Sequence, residues 1–257
     1  MTAFAFYRKV VVLNSDVHRN LKFDTSKVNF SFARDTTAVL IAGVEFAEAG
    51  HEYPIVFVRG QDKQMHPAAL LGVREAENLY VDAQGVWDAR YIPAFVRRYP
   101  FVMADGGEHG ELVVCIDEGC EALNCEHGEI LINASGKLEP RMNEVLQFLQ
   151  NFQQEFARTE LITRQLEELG LFVQQGARFD TSTGETFQLN DFYLIDEAKF
   201  SQIPDGQLPG LFRSGALGLV YMHLASLGNL RKLLDRVSDR SAAEKSAVKS
   251  KKSPKLH

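Results

Sequence analysis

The chain has 257 residues, a formal net charge of −6, 45% hydrophobic residues and 24% charged residues. These are ordinary globular proportions and they exclude disorder throughout. The longest apolar runs, at 10–13 and 217–221, fall far short of the roughly 20 residues a membrane helix needs, so no membrane association is expected.

The first half reads as strands and turns. A β-branched run at 9–13 predicts a strand. Phe30 and Phe32 alternate within 29–33, which is strand spacing. Residues 38–49 open as a strand and close as a short helix, with Gly50 as its C-cap. Segments 54–59 and 68–73 flank the turn Gly60-Gln61-Asp62-Lys63 and predict a hairpin. A further strand is expected at 79–82. Segments 101–104 and 112–116 flank a glycine-rich loop, and 129–132 closes the series. The expected product is an antiparallel or mixed sheet.

The second half changes period. Met142, Val145, Leu146, Leu149, Phe152 and Phe156 have helical spacing, and a second helix is expected to start near Thr159. A hairpin is expected from 177–179 and 186–195 around the turn Thr181-Ser182-Thr183-Gly184. Short helices follow at 196–202 and 205–213, then a long one at 216–236. Residues 238–257 hold six basic and two acidic side chains, which leaves 22 basic against 32 acidic in residues 1–237. This basic end is poor in large apolar groups and is expected to be a disordered, solvated tail. The expected fold class is therefore α+β. A single domain at 1–237, β-rich over 1–135 and helical over 136–237, carries the tail 238–257.

Intact catalytic signatures are missing. The chain has no G-x-S-x-G elbow, no phosphate-binding G-x-x-x-x-G-K-[ST] loop and no G-x-G-x-x-G fingerprint. Cys115, Cys120 and Cys125 are too widely spaced for a strong zinc motif, and acidic neighbours disfavour thiolates at the last two. Three cysteines do not form a disulfide framework, and no signal-peptide pattern opens the chain; a reducing cytoplasm is the expected location. The basic tail has no aromatic platform, so nucleic-acid binding is not expected.

Two clusters remain. Trp87, Tyr91, Arg97, Arg98 and Tyr99 lie in one short aromatic–arginine segment, and on an acidic body such a cluster suits a peptide, a protein partner or a small anionic ligand. One arginine of the adjacent pair should point away from the core. The alternative is a non-haem iron centre built from His109-Gly110-Glu111 with a distant His223, since a facial triad needs two histidines and one carboxylate. A third reading is a structural or assembly subunit, with a homo-oligomer as its product. No cofactor is expected on the leading reading, and catalysis is not favoured.

Several stretches carry a family resemblance. Tyr53-Pro54-Ile55-Val56-Phe57, Leu70-Leu71-Gly72, Glu77-Asn78-Leu79-Tyr80, Trp87 and Tyr91-Ile92-Pro93-Ala94-Phe95-Val96-Arg97-Arg98-Tyr99-Pro100-Phe101 resemble the SapC family. Cys115-Ile116-Asp117-Glu118, Phe192-Tyr193-Leu194-Ile195-Asp196-Glu197 and His223-Leu224-Ala225-Ser226-Leu227 follow in the family's order. Members are often encoded beside flavin-dependent halogenase-like proteins, cupin-like oxygenases and TonB-dependent receptors. The resemblance thus implies an accessory or binding role near surface-layer, nutrient-uptake or peptide-modification systems, and it names no reaction. The unrelated transporter permease of the same name needs membrane helices, and saposin C is a small disulfide-stapled domain; both are excluded.

Overall fold

A computed structural model describes residues 5–106, 112–180 and 186–252. The chain opens with β1 (Val10–Val12) and β2 (Lys22–Phe23), followed by 3-10 turns at Thr25–Lys27 and Ser31–Ala33. β3 (Ala38–Leu40) leads through the 3-10 turn Gly43–Glu45 into α1 (Phe46–Glu52). β4 (Ile55–Arg59) and β5 (Met65–Leu70) form the expected hairpin, with the second strand starting and ending three residues before the expected 68–73. α2 (Ala94–Arg97) precedes a second hairpin of β6 (Phe101–Asp105) and β7 (Leu112–Asp117), and β8 (Leu123–Asn124) and β9 (Glu129–Ile130) follow. Next come α3 (Pro140–Glu168), β10 (Phe172–Asp180), β11 (Thr186–Ile195) and α4 (Glu197–Phe200). A 3-10 turn at Asp205–Gln207 introduces α5 (Leu208–Ser214), α6 (Ala216–Ser226) and α7 (Asn229–Lys252).

The fold class is α+β, with a helical C-terminal half. Among the described residues every strand pair is antiparallel. The main sheet runs β10-β11-β4-β5-β3, and two smaller sheets run β1-β7-β6 and β8-β2-β9. The hairpin from the second half therefore completes a sheet begun in the first. All six residues of β5 are buried, as a central strand requires. A large core gathers around the main sheet, α2 and α6, and a second one forms under the small sheets from Leu21, Phe101, Ile116, Leu131, Ile132, Met142 and Leu149.

Five expectations are corrected. Residues 29–33 are not a strand. Asn29 Oδ1 accepts the Ser31 N–H at 3.0 Å and turns the backbone into the 3-10 segment Ser31–Ala33. The two helices expected around Thr159 are one helix, α3. The Thr159 hydroxyl donates back to the Glu155 carbonyl at 2.6 Å and so stays inside the helix. Conversely the single helix expected over 216–236 is broken after Ser226, and Asn229 restarts it. Gly50 lies within α1, whose C-cap is Tyr53. The expected strand at 79–82 is reduced to one bridge between Val81 and Trp87.

Packed structure also runs past Val237. Ser241 is buried, and the Arg240 guanidinium donates to the carbonyls of Asn78 and Val81 at 2.9 and 3.1 Å. These contacts dock a segment that composition alone assigned to the tail. The turn expected at 181–184 and much of the glycine loop after Gly106 lie outside the described residues.

Candidate functional site

The aromatic–arginine segment divides three ways. Trp87 and Tyr91 are structural. Trp87 is buried, and its Nε1 donates to the Tyr53 hydroxyl at 2.9 Å. The Tyr53 hydroxyl in turn donates to the Tyr91 carbonyl. Tyr91 donates its own hydroxyl to Glu45 Oε1 at 2.8 Å, and Glu45 also accepts the N–H groups of Ala94 and Ala42. Burial and the neighbouring Glu45 charge both push the Tyr91 phenol well above its ordinary pKa. A buried carboxylate with three donors thus pins the entry to α2.

The arginine pair straddles α2, as the sequence implied. Arg98 is only 5% exposed, and its guanidinium packs 3.9 Å from the Phe95 ring centre and 5.1 Å from that of Phe152. Arg97 is exposed. Its Nε donates to the Ile92 carbonyl at 2.9 Å, and its guanidinium lies over Tyr91 and Phe148 at 5.7 and 5.4 Å. The Tyr99 ring is stacked on Phe32 at 3.9 Å and 23°, with its hydroxyl donating to Asp117 Oδ2 at 3.2 Å. Burial, and then the charged groups beside it, raise the Tyr99 phenol far above its usual pKa, so it stays a donor.

Arg97 and Tyr99 both line one groove, of about 660 Å3. Three further cations join Arg97 there: Arg8, Lys27 and Arg141. The walls include Phe23, Phe30 and Phe32. Arg141 pairs with Glu144 at 2.8 Å, whereas among the described residues no carboxylate pairs with the side chains of Arg8, Lys27 or Arg97. Glu121 is the one acidic residue along this groove. The groove continues past Ser26, Gln84 and Val86 into a further space of about 480 Å3. On a chain of net charge −6, this is a cationic, aromatic trough.

Asp117 fixes one wall of it. This buried carboxylate accepts the N–H groups of Arg8, Lys9 and Gly119, each at 2.9 Å, besides the Tyr99 hydroxyl. Burial alone would raise its pKa, but the three backbone donors and Tyr99 outweigh burial and hold it below the usual carboxylate value. Arg8 and Lys27 went unnoticed in the sequence, and Phe30 and Phe32 were read only as strand residues, because all four sit on turns far from 87–101. The acceptor side chain of Asn29 just before Phe30 is the one local signal that this stretch turns instead of extending.

The iron reading fails at His223. That residue is fully buried, and both ring nitrogens are engaged. Nδ1 lies 2.8 Å from the Ile55 carbonyl, and Nε2 accepts the Ile195 N–H at 3.1 Å. This pattern assigns the proton to Nδ1 and leaves no lone pair for a metal. Burial depresses its pKa to about 4, keeping the ring neutral. His109 and Glu111 lie outside the described residues. Among the described residues no three His, Cys, Asp or Glu side chains gather as a metal site. Cys115, Cys120 and Cys125 are free thiols, and burial raises the pKa of the first two.

No described helix is long and apolar enough to cross a membrane. Comparison with curated proteins and with solved structures finds no match. The SapC family model matches residues 13–233, and the chain belongs to the SapC family.

Proposed function

We propose that the protein is an accessory binding protein whose trough takes an acidic peptide segment, presented in extended form by a protein partner. The observation that carries this reading is the convergence of Arg8, Lys27 and Arg97 with the rings of Phe30, Phe32 and Tyr99 along one groove. Guanidinium groups bind carboxylates with directional donors, and flanking rings accept apolar side chains between them. The continuation of the groove past Gln84 suits an extended chain better than a compact anion. Surface-layer, uptake or peptide-modification systems are the settings the family resemblance implies for such a partner.

Fluorescence anisotropy with labelled peptides tests the reading. A peptide alternating Glu with Phe is expected to bind the full chain, and a Lys–Phe peptide of equal length is not. Arg97→Glu and Arg8→Glu should each weaken the acidic peptide by roughly tenfold or more, as loss of a charge-assisted contact requires. Binding should also weaken as salt rises from about 0.05 to 0.5 M. Equal binding of both peptides, or unchanged affinity in folded Arg97→Glu and Arg8→Glu proteins, would refute the reading. A stable oligomer that buries the trough would favour the assembly-subunit alternative.

A further inference from the structure

α5 stands almost wholly outside the core. Only Leu211 of its seven residues is buried, although most of them are apolar. Leu208 and Phe212 are one helical turn apart and share a face. Both are exposed, and Phe212, at 75%, is the most exposed large apolar side chain among the described residues. α6 packs beside α5 and carries Tyr221, 63% exposed, whose ring meets Phe200 of α4 edge-on at 5.6 Å. α3 also adjoins: a Cβ at Gly210 would come within 3.9 Å of Gln165, and Leu161, one turn before Gln165, is exposed too. Single exposed apolar residues are ordinary on a protein surface, but rings and leucines grouped on adjoining helices mark an interaction site.

The charges around this group decide its occupant. Asp205 begins the 3-10 turn that enters α5, and Arg213 lies in the last turn of α5. Both are exposed, and among the described residues neither side chain has an ion-pair partner. The order along the surface is therefore acid, apolar, base. Turned about a two-fold axis, that order is complementary to itself. Leu208 and Phe212 of one copy meet Phe212 and Leu208 of the other, and each Asp205 comes beside the opposite Arg213. A lipid surface would select cations on both flanks, and a partner of one charge would leave one end unmatched. We infer that α5 is an isologous dimer interface, on which two copies of this chain pack their α5 helices antiparallel with Tyr221 at the rim. None of these residues lines the trough, so this interface is separate from it.

Sedimentation velocity on the full chain at about 1–200 µM tests the inference, a range that spans micromolar association. The wild type should shift from monomer to dimer as concentration rises. Phe212→Asp should stay monomeric throughout and keep its affinity for the acidic peptide. Asp205→Arg and Arg213→Asp should each weaken the dimer about tenfold or more, since like charges then face each other across the axis. The double reversal should restore it to within about threefold. That rescue cannot arise inside one chain, because the two positions are eight residues apart, about 12 Å of helix. All three positions are exposed, and circular dichroism checks that each variant is folded. A wild type that is monomeric at every concentration would overturn the inference, as would a dimer that survives Phe212→Asp. Single reversals that the double reversal does not rescue would overturn it as well.

Discussion

Lowering the pH should weaken the fold through a single histidine. β11 and β4 meet at the pair Tyr193 and Phe57. Two residues further along each antiparallel strand stand Ile195 and Ile55, the next positions on the same face. There the direct ladder is replaced by the His223 ring, which joins the Ile195 N–H to the Ile55 carbonyl. Ser226, one turn later on α6, accepts the Ile55 N–H at 2.9 Å. The ring must be neutral to accept from Ile195. Its pKa falls from 6.5 to about 4 on folding because burial penalises the cation. The unfolded chain therefore binds the extra proton first. The stability contributed by the neutral ring is full above pH 6.5 and is lost as pH falls toward 4. Between about pH 7.5 and 5 the loss amounts to roughly 2 kcal/mol, and the whole shift corresponds to about 3 kcal/mol. Urea unfolding at the two pH values measures it, with His223→Gln as the non-titrating reference. The wild type should lose roughly 2 kcal/mol more than the variant over this interval. Parallel pH dependence in the two proteins would refute the assignment of a neutral bridging ring.

Other outcomes follow from the same contacts. Asp117→Asn should cost about 2 kcal/mol, the scale of hydrogen bonds to a charged acceptor, and should weaken acidic-peptide binding by loosening the trough wall. Because the folded pKa of Asp117 is depressed, its contribution is present above the unfolded value of 3.8 and is lost as pH falls through the lower folded value. Trp87 is the only tryptophan, and Phe30 of the trough packs against it edge-on at 5.7 Å. A peptide seated on Phe30 should thus change Trp87 emission, and an unchanged spectrum at saturation would place the peptide elsewhere. Under native conditions a thiol reagent should modify exposed Cys125 first and buried Cys115 only on unfolding, read by mass spectrometry. Gly72→Ala drives a Cβ into the Glu77 carbonyl, and thermal melting should report a loss of about 2 kcal/mol, as for other overpacked sites.

The sequence revealed local pairing well and distant assembly poorly. The first hairpin was visible because short apolar runs flank the polar turn Gly60-Gln61-Asp62-Lys63, and the first half of α3 showed helical spacing along its buried face. Phe30 and Phe32 misled because two rings on one side satisfy strand spacing and a 3-10 turn alike. Their rings do share a face, with centroids 6.1 Å apart. The division of Arg97 from Arg98 was legible as a consequence of adjacency on a short helix. What each would face was not, since that depends on α3 and on turns some sixty residues upstream. Likewise His223 looks like a ligand in a list of histidines. Its structural role appears only when Ile55 and Ile195 are brought beside it.

The sheet order has a consequence for how the chain reaches this state. β4 lies between β5, its neighbour in sequence, and β11, which is made only after residue 186. The hydrogen bonds that complete β4 come from residues 168 and 171 positions further along, His223 and Ser226. On the ribosome, the apolar strand Ile55–Arg59 therefore waits with one edge open until nearly the whole family-matched region has emerged. Such long-range closure slows folding and favours capture of the waiting edge by other chains. A protein truncated before β11 should accumulate in aggregates, and supplying the 186–252 segment in trans would find that edge still unpaired.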